Sequence, residues 1–315
     1  MQRFIVENAG VHSILVDKGR FGYAHLGLTQ GGPADEHAFY WLNRLLGNTE
    51  NSTVIECNLG GIVLRATANQ TIAVTGANAP LIINGKRKIT WCSHRVAPDD
   101  IIELGYASSG IKVYLGVNQG FDIKHQFGSS STVVREHIGG LSGNALTKGD
   151  VLPIFSDQEN PLLAMSRKHI PLYRQYLTLR IILGSQKALF SEQEKTTLFN
   201  RQYQVSKQAD RMGYRLEGPP IKASFNLGKK QSITSEGIAF GAVQVPPNGQ
   251  PIVLLTDRQT LGGYPKLGAV LSLDAYKLAQ CNEGALIHFE AISLMQANAL
   301  LEDENQQRKM PLLNH

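Results

Sequence analysis

Leu81-Ile82-Ile83-Asn84-Gly85-Lys86-Arg87-Lys88-Ile89 reads as two short strands joined by a two-residue turn. Asn-Gly readily takes up the left-handed backbone of a tight hairpin, so the turn type follows from the residues themselves. The cadence continues on both sides. Apolar runs at 53–57, 62–66, 70–75, 79–83, 100–104 and 111–117 alternate with the turn signals Gly60-Gly61, Ala68-Asn69 and Pro98-Asp99. Short strands at such even spacing predict an all-β barrel or sandwich, not βαβ units.

Upstream, 4–7 and 11–16 read as strands, and five glycines between Lys18 and Pro33 demand sharp turns. A helix is predicted over 35–46. Asp35 stands at its cap, Ala38, Phe39, Leu42, Leu45 and Leu46 recur at helical spacing, and Gly47-Asn48 ends it. Residues 120–149 are loop-rich, Lys148-Gly149-Asp150 turns into a strand at 151–152, and 157–169 reads as a linker. Beyond it come a strand at 177–183 and a helix at 191–199, where Ser191 and Glu194 suggest a capping box. β-rich sequence resumes after Tyr203, with short helices at 275–278 and 292–301. The expected organisation is an N-terminal β-rich domain (1–156), a C-terminal one (170–300) and a polar tail (301–315). Gly60–Val74 and Gly241–Leu254 echo each other as a glycine-opened strand, a turn and a Gln-led strand, which two related β-domains would explain.

The 315 residues are 42% hydrophobic, with 31 glycines and 13 prolines, enough for real cores and many turns. Net charge is +5, yet Lys and Arg are scattered. No basic stripe for nucleic acid appears, and the diffuse charge favours a small anion or an acidic partner. No apolar run approaches the ~20 residues of a membrane span, and no signal-peptide core opens the chain. Cys57, Cys92 and Cys281 are too widely spaced for a metal site and read as reduced thiols of a cytoplasmic protein. The histidines lack HxH or HExxH spacing, so no metal site is assigned. There is no GxxxxGK[ST] loop and no biotin-attachment sequence. Between 208 and 267, charged residues, hydroxyls and turn glycines alternate with short strands, the way polar ligands are usually met.

An ordered set of motifs runs through nearly the whole chain. It begins with Gly31-Gly32-Pro33-Ala34-Asp35, Asn43-Arg44-Leu45-Leu46-Gly47-Asn48, Glu56, Thr75-Gly76-Ala77, Tyr114-Leu115, Ser131-Thr132 and Gly139-Gly140. It continues with Asp210-Arg211-Met212-Gly213-Tyr214-Arg215, Ser235-Glu236-Gly237, Gln244-Val245-Pro246-Pro247 and Thr260 through Pro265. The set resembles the allophanate-hydrolase-subunit-2-like family. Its members include KipA proteins, the C subunit of 5-oxoprolinase and half of the carboxyltransferase region of urea carboxylase. Gln119, Asn144 and Leu261 depart from that family's usual residues.

The resemblance implies a mainly β fold, two domains of cyclophilin-like β-barrel type with a few short helices. It implies a role as the C subunit of an ATP-dependent 5-oxoprolinase, inactive alone, with KipI-like and LamB/YcsF-type proteins as its B and A subunits. ATP would be bound by or shared with a partner. Alternatives are a biotin-dependent carboxyltransferase half acting on urea or another amide, with biotin on another polypeptide, and a non-catalytic KipA-type regulatory partner. Opening a lactam requires activating an amide carbonyl, and hence cations and donors around anionic oxygens. Arg211, Arg215 and Arg258 are the candidates to supply charge, with Asp210 or Asp257 orienting an Arg or holding a metal. Thr260, Gly262 and Gly263 would offer a hydroxyl and backbone N–H groups, Tyr264 a cover, and Gln244 and Ser131 substrate contacts. Taken singly these residues also fit ion pairs and turns; Asp35 fits a helix cap better than an acid or base. Arg211→Ala is expected to abolish activity of the complex without unfolding the chain.

Overall fold

The computed structural model describes residues 2–158, 160–224 and 233–314. Glu159, inside the segment expected to be a linker, lies outside them. The chain divides into two compact units, one of Met1–Tyr23, Gln30–Tyr173 and Pro311–His315, the other of Ala24–Thr29 and Arg174–Met310.

The first unit contains, in chain order, β1 (Arg3–Ala9), β2 (His12–Val16), α1 (Glu36–Leu45), β3 (Val54–Asn58), β4 (Ile62–Ala66) and β5 (Gln70–Gly76). Then come β6 (Leu81–Ile83), β7 (Lys86–Lys88), β8 (Ser93–Val96), β9 (Ile101–Leu104), β10 (Lys112–Val117), β11 (Val151–Pro153) and β12 (Leu163–Ala164). β1 to β11 form two sheets, β11-β1-β4-β9-β6-β7 and β2-β3-β10-β5-β8, the layered form of the barrel-or-sandwich reading. The β6–β7 hairpin turns on Asn84 and Gly85, at φ 50° and 72°, with Ile83 opposite Lys86. Every residue of β5 and of β10 is buried because the second sheet is covered on both faces. Ile72, Val74, Val113 and Leu115 face the first sheet's Phe4, Val6, Ile62 and Leu64, whereas Ala73 and Tyr114 join the apolar side of α1. That helix starts where Asp35 Oδ1 accepts the Ala38 N–H at 3.1 Å. It lies so close to β10 that a Cβ on Gly116 would sit 2.9 Å from Leu46 Cδ1.

The second unit holds β13 (Tyr176–Leu183), α2 (Glu192–Asn200), β14 (Gln202–Ala209), β15 (Gly213–Glu217), β16 (Glu236–Gly237), β17 (Ala242–Gln244) and β18 (Ile252–Leu254). It continues with β19 (Leu261–Gly262), β20 (Lys266–Val270), α3 (Ser272–Leu278), β21 (Leu286–Ala291) and α4 (Leu294–Gln307); β22 (Leu313–Asn314) returns to the first unit and pairs with β12. Seven strands close a barrel in the order β13-β20-β17-β18-β15-β14-β21, and β13 and β21 run parallel. Leu179, Ile181, Tyr203, Leu216, Val243, Val253, Ile287 and Phe289 are fully buried, and the rings of Tyr203 and Phe289 meet edge to face at 5.8 Å.

Four local expectations change. Ser191 caps α2 by accepting from Glu194 N, but the Glu194 carboxylate accepts from Lys222 N, and the reciprocal capping box is instead Ser293 with Gln296 at α4. So anchored, α4 runs to Gln307, well into the expected tail. The 157–169 segment is tied to the first unit: Asp157 accepts from Thr71, and Leu163–Ala164 pairs with β22. Finally, β4 and β5 lie in different sheets while β17 and β18 are neighbours, so the echo between the halves is a likeness of local pattern only.

Candidate functional site

The second unit carries a groove of about 550 Å³ at one end of β15, β17 and β18, lined by Asp210, Arg215, Gln244, Gln259 and Tyr264 over an apolar floor of Ile252 and Leu254. Strand alternation sets the polar residues there. On β15, Tyr214 and Leu216 turn into the barrel, so Arg215 between them turns out. Its side chain is exposed and has no hydrogen bond or ion pair with any described residue. Gln244 ends β17 with 2% exposure, and its Nε2 is buried without a hydrogen-bond partner among the described residues. A buried amide donor left unmatched costs roughly 1–3 kcal/mol, so this group is a candidate donor to a ligand acceptor. Gly262 leaves the space beside it open: a Cβ there would lie 2.7 Å from Gln244 Nε2 and 2.5 Å from Ile238 Cδ1.

The remaining candidates of this unit build the frame. Asp210 Oδ1 accepts from the N–H groups of Met212 (2.8 Å) and Gly213 (3.2 Å), shaping the turn before β15. Arg211 does not line the groove. Its Nε and Nη2 donate to Asp257 at 2.8 and 2.9 Å, and Asp257 N donates back to the Arg211 carbonyl at 2.8 Å, locking two loops together. Arg258 donates to the carbonyls of Ile238 (3.1 Å) and Leu255 (3.3 Å) and lies 5.8 Å from the centre of the Phe240 ring; burial lowers its pKa. The carbonyls of Thr260 and Gly263 accept from Ile238 N and Ile233 N, while Gly262 pairs with Glu236 in the small β16–β19 sheet. Glu236 is joined by Lys266 Nζ in an ion pair at 2.8 Å and by Gln186 Nε2 at 2.6 Å, and the Lys266 ammonium holds its carboxyl below the usual range. Sequence reasoning passed over Gln259, although it sits between two chosen residues, and Gln186, whose partner is fifty positions away.

In the first unit, Ser131 is buried. Its Oγ donates to Asp17 Oδ1 at 2.8 Å, beside Ser129 Oγ at 2.6 Å and Ser130 N at 2.8 Å on the same carboxylate. The signature residues of this half meet one another. Tyr114 Oη and Ala34 N both donate to Glu56 Oε2 (2.7 and 2.8 Å), and Asp35 N donates to Tyr114 Oη at 2.7 Å. Burial pushes the Tyr114 phenol well up, so it stays a neutral donor. Asp35 is a helix cap whose other oxygen accepts from Tyr173 Oη at 2.7 Å.

The profile of the family described as "Carboxyltransferase domain, subdomain A and B" matches residues 26–291. This chain belongs to the carboxyltransferase-domain family. As a carboxyltransferase domain it is 35% identical over 284 residues to the 5-oxoprolinase C subunit of Haemophilus influenzae, covering 90% of this chain and 89% of that protein. It is 33% identical over 296 residues to the protein of the same name from Escherichia coli, covering 94% and 93%. In three dimensions it is similar to the crystal structure of the K. lactis urea amidolyase, with a TM-score of 0.92 at 25% identity, covering 98% of this chain and 20% of that one. Among the described residues, no helix of this carboxyltransferase domain is long and apolar enough to cross a membrane, and no group of three or more His, Cys, Asp and Glu is placed to hold a metal.

Proposed function

We propose that this chain is the C subunit of a 5-oxoprolinase, opening the lactam of 5-oxo-L-proline to L-glutamate at the expense of ATP. The observation that carries the reading is near-full-length kinship, in both directions, to two proteins that bear the name of that subunit. The groove suits such a substrate. A small cyclic amide bearing a carboxylate needs a cation, a donor for its carbonyl oxygen and a cover. Arg215, Gln244 and Tyr264 offer these over an apolar floor. Arg215 would pair with the anion, the Gln244 amide would donate to the carbonyl, and Arg211, Asp257 and Arg258 would hold the loops that carry them. ATP, when bound, supplies the phosphoryl group that activates the amide oxygen. In this reading it is bound by or shared with a partner, a KipI-like protein acting together with one of the LamB/YcsF type, in the cytoplasm.

A second reading, as one half of a biotin-dependent carboxyltransferase with biotin on another polypeptide, draws support from the likeness to urea amidolyase. Glutamate formation from 5-oxoproline and ATP is to be measured with the chain alone, the two partners alone, and all three together. Turnover only in the full mixture is expected. Equal turnover without this chain, or ATP-dependent turnover by this chain alone, counts against the assignment.

A further inference from the structure

A second cavity, of about 710 Å³, lies within the first unit against β7, the loop after it and the β12–β22 pair. Its wall includes Ile89, Leu172 and Leu313, which are 54%, 79% and 53% exposed. Single exposed apolar side chains are ordinary, but three around one hollow make a patch of the kind that marks an interaction surface. Arg87, Lys88 and Arg167 line the same hollow, no described Asp or Glu does, and none of the three cationic side chains has a hydrogen bond or ion pair with any described residue. β7 ends the six-stranded sheet, so one side of its backbone is open to pairing. The hollow's floor is firm: Trp91 is 3% exposed at φ 60°, with its N–H on Val74 O at 2.7 Å and its carbonyl accepting from Met165 N at 2.9 Å. A bulky residue in the left-handed region persists only where its surroundings over-determine it.

We propose that this hollow docks an extended, carboxylate-bearing segment of the partner protein along β7. Apolar side chains of that segment would fill the space between Ile89, Leu172 and Leu313, and its acids would meet the three cations. The proposal rests on the functional reading only in that a partner protein exists. Charge complementarity decides the occupant. A second copy of this chain, itself at +5, is a poor match for a rim with three cations that no described residue pairs.

The test measures the affinity of the full-length chain for the purified KipI-like partner at two salt concentrations, with hydrogen exchange on the complex. Arg87→Glu/Lys88→Glu/Arg167→Glu is expected to weaken binding by about ten-fold or more and to flatten its salt dependence, since opposed charges are replaced by like ones. Leu172→Ser should weaken binding with the salt slope kept. Reversing Lys124, Lys148 and Lys187, exposed cations elsewhere, should change affinity by less than about two-fold. Exchange should slow at 86–92 and 313–314. A folded triple variant that binds like the wild type, protection confined to other segments, or self-association through this face overturns the proposal. If that variant also supports glutamate formation, docking falls and the functional reading stands. If the wild-type chain neither binds the KipI-like partner nor supports glutamate formation, both fall.

Discussion

Arg211 is the residue at which structure and chemistry can be told apart. It is 9% exposed and Asp257 14% exposed, and they share two charge-assisted hydrogen bonds of 2.8 and 2.9 Å. Arg211→Ala leaves the Asp257 carboxylate nearly buried without its counter-charge. Breaking a fully buried pair from one side costs about 3–5 kcal/mol, and the residual exposure of both groups lowers this to about 2–4 kcal/mol. In a unit of this size about 3 °C is lost per kcal/mol, so a fall of about 6–12 °C in the melting temperature of the barrel unit is expected. The Asp257 N–H bond to the Arg211 carbonyl survives the substitution, so the loops should loosen, not come apart. Arg211→Met with Asp257→Leu, which removes both charges, should recover most of the loss, to within about 1 kcal/mol of the wild type. Calorimetry and denaturant titration read the stability. Lactam opening by the reconstituted complex, assayed well below each transition, reads function. If Arg211→Ala melts with the wild type yet loses turnover, the guanidinium acts on a ligand and the reasoning from the ion pair is refuted.

Three further outcomes follow from the same geometry. Gln244→Leu removes a buried, unmatched amide: the melting temperature should hold or rise, by up to about 1 kcal/mol of stability, while turnover falls ten-fold or more. A cost in stability together with full activity would show that the amide is already satisfied. Gly262→Ala places a methyl against Ile238 and Gln244 and should cost about 1–3 kcal/mol, with the Michaelis constant rising before stability becomes limiting. Burial pushes the Cys57 and Cys281 thiols up to about 12 and Cys92 to about 11, so at pH 8 none should react with a thiol reagent until the chain unfolds. The sign for stability is fixed by the same shift: folding holds these protons more tightly, so their contribution is complete below the ordinary thiol value of 9.0 and is lost as pH climbs toward 12. Rapid labelling of the native chain at pH 8, followed by mass spectrometry, would contradict this.

What the residues determined unaided was local or periodic. Asn84-Gly85 set its hairpin because few other pairs tolerate two left-handed residues in succession, and Asp35 set the start of α1 through a bond three residues away. The strand cadence likewise announced a mainly β chain, and the run of motifs its family. What only the tertiary structure decided was which groups meet. Asp257 lies 46 residues from the arginine it holds, and Asp17 lies 114 from Ser131. No period links such pairs, so the sequence, which offered Asp257 as a partner for an arginine, could not say that it would take Arg211 while Arg215, four residues on, would face open space. The cadence offered a barrel or a sandwich, and only the packing decided that one half closes into a seven-stranded barrel and the other forms two layered sheets. Both begin from the same alternation of apolar and polar residues, and strand order follows from long-range packing that no single segment encodes.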